Sequence, residues 1–113
     1  MIFPIICLGL SAGGLDPLRR VIRHLQPDRG CAFVVVNHLR RYRTQLPEIL
    51  GRITPIPVEI IEDGNAIEPN HIYIIPPNCE LTLADGIFRL AQISKPLGWP
   101  RVITVFLESL AGS

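Results

Sequence analysis

Ile2-Phe3-Pro4-Ile5-Ile6-Cys7-Leu8-Gly9-Leu10 runs directly into Ser11-Ala12-Gly13-Gly14, and this stretch decides the fold. The first nine residues are continuously apolar rather than alternating, which predicts a parallel strand buried on both faces, with Pro4 near its start. From Leu15 onward Leu15, Leu18, Val21, Ile22 and Leu25 recur at helical spacing, with Arg19, Arg20 and Arg23 on the opposite side. The glycines therefore sit where a strand turns into a helix.

Pro27 to Gly30 breaks the helical pattern, and Cys31 to Asn37 reads as a second buried strand ending at His38. Strand, helix, strand is a βαβ unit. Thr44 is the expected N-cap of a short helix running to Leu50, with Pro47 in its first turn and Gly51 in the stop position. Val58 to Ile61 and His71 to Ile75 are two further strands. Glu80 to Leu83 and Ile87 to Ala91 flank Ala84-Asp85-Gly86, and Asp-Gly between alternating runs predicts a hairpin. Pro96 to Pro100 is a loop, and Val102, Val105, Phe106, Ser109 and Leu110 mark one face of a last helix. The expected class is α/β: a mostly parallel, Rossmann-like sheet with flanking helices and a β-hairpin. A final helix with no strand after it suggests that the fold is truncated at its C-terminus.

The chain has 113 residues, 48% of them hydrophobic and 19% charged, which is the composition of one globular domain rather than of a disordered segment. Its formal charge of +1 gives no general pull towards nucleic acid or membrane. Cys7, Cys31 and Cys79 are odd in number and have no C-x-x-C spacing, so a reduced, cytoplasmic protein is expected. No lysine or arginine precedes the apolar start, which argues against a secretory leader. The run is also far too short to span a bilayer.

Gly9-Leu10-Ser11-Ala12-Gly13-Gly14 fits two templates. As G-x-S-x-G it is a nucleophile elbow, which lifts a serine oxygen above a strand end. As a dinucleotide fingerprint it is imperfect, because Ser11 replaces the second glycine and strand 2 ends in Asn37-His38 instead of the acid that would hold a ribose. The carboxyl ends of neighbouring strands line one crevice in an open α/β sheet, so Ser11 and His38 are expected to open onto the same place. An imidazole there can take the proton of a serine hydroxyl, which is otherwise a poor nucleophile. N–H groups of Ala12, Gly13 and Gly14 at the helix start would donate to a developing oxyanion.

Other readings of the same residues are plainer. Ser11 can be an N-cap and nothing more, His38 a surface side chain, and Arg40, Arg41 and Arg43 a solvated loop. The sharper reading of these arginines is that they steer an acidic partner or substrate to the site. His24 is expected to be solvated and His71 structural, and no metal spacing links the histidines. No cofactor is expected. Asp63, at the end of strand 3, is the acid that position alone nominates to orient His38. A nucleotide binder and a regulatory module without turnover remain as rival classes.

Four segments taken together, Gly9 to Gly14, Val34-Val35-Val36-Asn37-His38-Leu39, Glu62-Asp63-Gly64 and Ile72-Tyr73-Ile74-Ile75-Pro76-Pro77, resemble the methylesterase domain of the bacterial chemotaxis protein-glutamate methylesterases (CheB-type). The resemblance runs from Ile5 to about Leu110. It implies a Ser-His-Asp serine esterase that hydrolyses glutamyl methyl esters on methylated chemoreceptors or a related signalling protein, in many members also deamidating glutamines. It implies Ser11 as nucleophile and His38 as base, and places the family's aspartate in a later glycine-rich turn, which argues against Asp63. Residues 1–113 then correspond to the N-terminal part of one such domain, with no receiver domain, and this chain by itself is expected to be inactive or nearly so. Trp99-Pro100-Arg101-Val102 departs from the family habit of opening the last helix with an acid.

Overall fold

A computed structural model describes residues 3–10, 15–26, 29–37, 45–76 and 79–92, and within them the α/β reading holds. The first βαβ unit is β1 (Ile5–Leu10), α1 (Leu15–Arg23) and β2 (Ala32–Asn37). It is followed by α2 (Leu46–Gly51), β3 (Val58–Ile60), β4 (His71–Ile75) and the hairpin β5 (Cys79–Ala84) and β6 (Ile87–Gln92). Strands β1 to β4 form one parallel sheet in the order β1-β2-β4-β3, so β4 inserts between two strands that precede it in the chain. The expected last helix lies outside the described residues, as does Thr44; the N-cap position of α2 falls to Gln45, one residue later than the expected Thr44, and its side chain makes no capping hydrogen bond.

The central strands β2 and β4 alternate between two cores, as the two-residue period of a strand requires. Phe33, Val35, Ile72 and Ile74 meet Leu18 and Ile22 of α1, Leu46 and Leu50 of α2, and Ile56. Ala32, Val34, Tyr73 and Ile75 meet Leu81, Leu83 and Phe88 of the hairpin, with Ile61 and Ile67. Helices therefore cover one face of the sheet and a hairpin covers the other. Asp85 and Gly86 both take positive φ (53° and 75°), the geometry a two-residue type I′ hairpin loop demands.

Among the described residues β1 has one strand neighbour, β2. Its Ile5 and Cys7 pack on the hairpin side and Leu8 on the helix side, so its apolar continuity reports two covered faces and says nothing of lateral neighbours. Ile6 is 41% exposed. Gly51 does not stop α2 in a left-handed conformation: it is the last helical residue, and Arg52 caps the helix at φ −80°. The chain leaves in a further tight turn, Ile53 N–H donating to Leu50 O at 3.1 Å, so no glycine conformation is required.

Candidate active site

The site expected from the sequence lies at the carboxyl ends of β1 and β2, whose register is a constant offset: Ile5 opposite Ala32, Gly9 opposite Val36, and Leu10 opposite Asn37. Neighbouring strands lie about 4.8 Å apart. Leu10 and Asn37 thus leave the sheet side by side, and the next residues in the chain are Ser11 and His38. β4 ends level with them, Ile75 lying opposite Val36. Ser11, Ala12, Gly13, Gly14, His38, Arg40, Arg41 and Arg43 themselves lie outside the described residues.

Asp63 is described, and its side chain is committed elsewhere. Its Oδ1 accepts the Leu90 N–H at 2.8 Å, tying the turn after β3 to the hairpin. The neighbouring residues continue that clamp. Gly64 N–H donates to Phe88 O at 2.8 Å, Phe88 N–H to Asn65 O at 2.7 Å, and Ile67 N–H to Gly86 O at 2.8 Å. Gly64 sits at φ +91°, a conformation in which a side chain is strained. Asn65 Oδ1 accepts the Glu62 N–H at 3.0 Å and closes the turn. Glu62-Asp63-Gly64 is thus a structural device, and the nomination of Asp63 as the acid that orients His38 is not supported by its hydrogen bonding.

Asn70 escaped the sequence reading. It stands at φ 62°, accepts the Gly30 N–H on Oδ1 at 2.7 Å and donates its own N–H to Cys31 O at 2.7 Å, so it fixes the start of β4 against the start of β2. Asparagine tolerates that conformation better than most residues, and the Pro69-Asn70 pair was the available signal. His71 fulfils its structural expectation: Nδ1 lies 2.9 Å from Pro69 O, Nε2 lies 3.5 Å from Glu68 Oε2, and the ring stacks on Tyr73. His24 is exposed.

Among the described residues the titrations that shift do so through burial. Burial pushes the Tyr73 phenol above its ordinary value, aided by the negative charges of Glu59 and Glu68, while the Glu68 N–H donating to its oxygen at 2.9 Å works the other way. Burial likewise raises the Cys7 and Cys79 thiols, so neither has the activated thiolate of a catalytic cysteine. The described strand ends carry no alternative nucleophile of that kind.

With this geometry in place, a model of the CheB methylesterase family matches residues 6–113. The chain belongs to the CheB methylesterase family. A protein-glutamate methylesterase/protein-glutamine glutaminase 1 from Xanthomonas campestris is 38% identical over 73 residues, which is 64% of this chain and 20% of that protein. A protein-glutamate methylesterase/protein-glutamine glutaminase 3 from Burkholderia lata is 30% identical over 91 residues, covering 80% of this chain and 25% of that protein. The CheB methylesterase catalytic domain of Thermotoga maritima superposes with a TM-score of 0.80 at 25% identity, over 99% of this chain and 62% of the solved one. This CheB-family chain therefore spans about a fifth to a quarter of the curated relatives it matches. No helix among the described residues is long and apolar enough to cross a membrane.

Proposed function

We propose that this chain carries the nucleophile and the general base of a protein-glutamate methylesterase, Ser11 and His38, and that residues 1–113 are the N-terminal part of one CheB-type catalytic domain. The observation that supports the reading is the register of β1 and β2, whose last residues, Leu10 and Asn37, lie opposite one another and immediately precede Ser11 and His38 in the chain of a methylesterase family member. Ser11 attacks the carbonyl carbon of a glutamyl methyl ester while His38 takes its proton. The imidazolium then protonates the departing methanol, and water hydrolyses the acyl-enzyme by the same route in reverse. α1 starts at Leu15, and the N–H groups of Ala12 to Gly14 before it are the donors for the oxyanion.

The substrate that fits this chemistry is a methylated cytoplasmic segment of a chemoreceptor or a related signalling protein, with Arg40, Arg41 and Arg43 attracting its unmethylated carboxylates. Glutamine side chains meet the same nucleophile, with ammonia as the leaving group.

A fluorophosphonate probe tests the pair directly, because it reports an activated serine without requiring full turnover. Covalent labelling is expected to vanish in Ser11→Ala and to fall steeply in His38→Gln. Labelling that persists in Ser11→Ala would remove Ser11 as the nucleophile.

A further inference from the structure

We infer that the outer edge of β3 is a docking groove for an extended peptide that alternates basic and apolar residues, a surface independent of the Ser11 and His38 reading. The groove has a volume of about 480 Å³ and is lined by Pro47, Val58, Glu59, Ile60, Glu62 and Asn65.

The backbone provides the ladder. Pro57 O accepts the Ile72 N–H and Ile61 N–H donates to Ile74 O, both at 2.9 Å, so Pro57, Glu59 and Ile61 turn their backbone groups towards β4. In a parallel ladder the intervening residues face the other way, and Val58 and Ile60 therefore present N–H and C=O groups to the groove. The donor that Pro57 lacks is on the β4 side, so the outward ladder is whole. It stops at Glu62, whose N–H is already held by Asn65.

The side chains select what can pair there. Val58 and Ile60 lie on one face of the strand, and Ile60 is 40% exposed, an apolar surface that an incoming apolar side chain would cover. Glu59 lies on the opposite face, and Glu62 closes the end of the groove; both are exposed. The ion pairs among the described residues engage Asp16, Glu48 and Glu68, and none of these pairs uses Glu59 or Glu62. An apolar or acidic strand would leave these carboxylates uncompensated, whereas a strand with lysine or arginine on the Glu59 face matches both chemistries. Charge thus turns an edge that no further strand covers among the described residues, otherwise a liability, into a selective one.

The test uses the 113-residue chain with two synthetic probes, acetyl-Lys-Val-Lys-Val-Lys-amide and its acidic twin acetyl-Glu-Val-Glu-Val-Glu-amide. By NMR at low salt, the basic peptide is expected to bind at least about tenfold more tightly than the acidic one. It should slow amide exchange at Val58 and Ile60 but not at Ile5 or Cys7 on β1, and the preference should fade at high salt. The double charge reversal Glu59→Lys with Glu62→Lys should transfer the preference to the acidic peptide, and Glu59→Gln with Glu62→Gln should abolish it. Equal binding of the two peptides, no binding of the basic one, protection on β1 instead of β3, or indifference to both double variants would each overturn the proposal.

Discussion

The two faces of the parallel sheet are covered by different physics. On one face the cover is made of helices whose buried residues, Leu18 and Ile22 in α1 and Leu46 and Leu50 in α2, are spaced one turn apart and pack by apolar contact. On the other face a hairpin buries Leu81, Leu83 and Phe88 and is also laced to the segment after β3 by the Asp63 carboxylate and the backbone of Gly64, Asn65 and Ile67. A helix satisfies its own backbone and can dock through apolar side chains alone. A hairpin leaves edge groups unpaired, and β6 satisfies several of them through that lacing. The helix-covered face is therefore fixed by local periodicity, and the hairpin-covered face by contacts between residues 19 to 27 positions apart.

The largest test of this contrast is core truncation on the hairpin side. Phe88 is fully buried, with its ring 5.0 Å from that of Tyr73 in an edge-on arrangement. Phe88→Ala is expected to cost about 3–5 kcal/mol in chemical denaturation. Ile22→Ala on the helix side should cost about 2–5 kcal/mol by the same mechanism, and amide exchange then separates the two. If the faces are covered independently, Phe88→Ala loosens the amides of β5 and β6 before those of β2, while Ile22→Ala leaves the hairpin protected in proportion to global stability. Identical exchange patterns in the two variants would erase the distinction.

Next in size is the polar clamp itself. Asp63→Ala removes the acceptor of the Leu90 N–H and is expected to cost about 1–3 kcal/mol, concentrated in the exchange of the Leu90 and Phe88 amides. Asp63→Asn keeps an acceptor oxygen and should recover most of the loss. Fluorophosphonate labelling of Ser11 should be unchanged in Asp63→Asn. A large drop in labelling with the hairpin amides still protected would return Asp63 to the catalytic role that position alone nominates.

The same contrast explains what the sequence could tell. Strands β1, β2 and β4, both helices and the hairpin loop at Asp85-Gly86 were readable because each is encoded within a few neighbouring residues: apolar continuity, one-turn spacing, or a dipeptide that tolerates positive φ. The insertion of β4 between β2 and β3 was not readable, because it depends on pairings such as Val34 with Tyr73 that no local pattern records. The catalytic proposal rests on Ser11 and His38 as residues that follow strands, which the sequence indicates. That they follow in step, with Leu10 opposite Asn37, required the register. Asp63 looked like a site acid from position alone, since only the structure shows where its oxygen is spent.

A smaller effect concerns alkaline pH and again favours the hairpin face. Tyr73 and Cys7 both belong to that core, and burial raises both groups above their ordinary values of 10.0 and 9.0. The unfolded chain gives up these protons at lower pH than the folded one, so across that window the unfolded state binds fewer protons and stability falls as pH rises. The contribution is whole at neutral pH and is lost from about pH 9 upward. Denaturation midpoints at pH 7 and pH 10.5 should therefore differ, with the hairpin amides leading the loss. Tyr73→Phe should flatten the fall, at a cost of about 1 kcal/mol at neutral pH for the Glu68 N–H left without its oxygen. An alkaline loss of the same depth in Tyr73→Phe would assign it to other groups.

The smallest effect belongs to the helix-covered face, and its smallness is the point. Arg52, which caps α2, and Glu48, one turn earlier, form an ion pair at 2.6 Å with both side chains largely exposed. Water competes for both charges and the long side chains lose freedom in pairing, so Arg52→Ala is expected to change stability by no more than about 0.5 kcal/mol. Raising the salt concentration should shrink even that difference, since exposed charges are screened. α2 is held by Leu46 and Leu50 beneath it, and a polar contact on its outer surface adds little to what those residues secure. A loss in Arg52→Ala comparable to that in Asp63→Ala would mean that this helix too depends on polar fastening, and the difference between the two faces of the sheet would be one of degree.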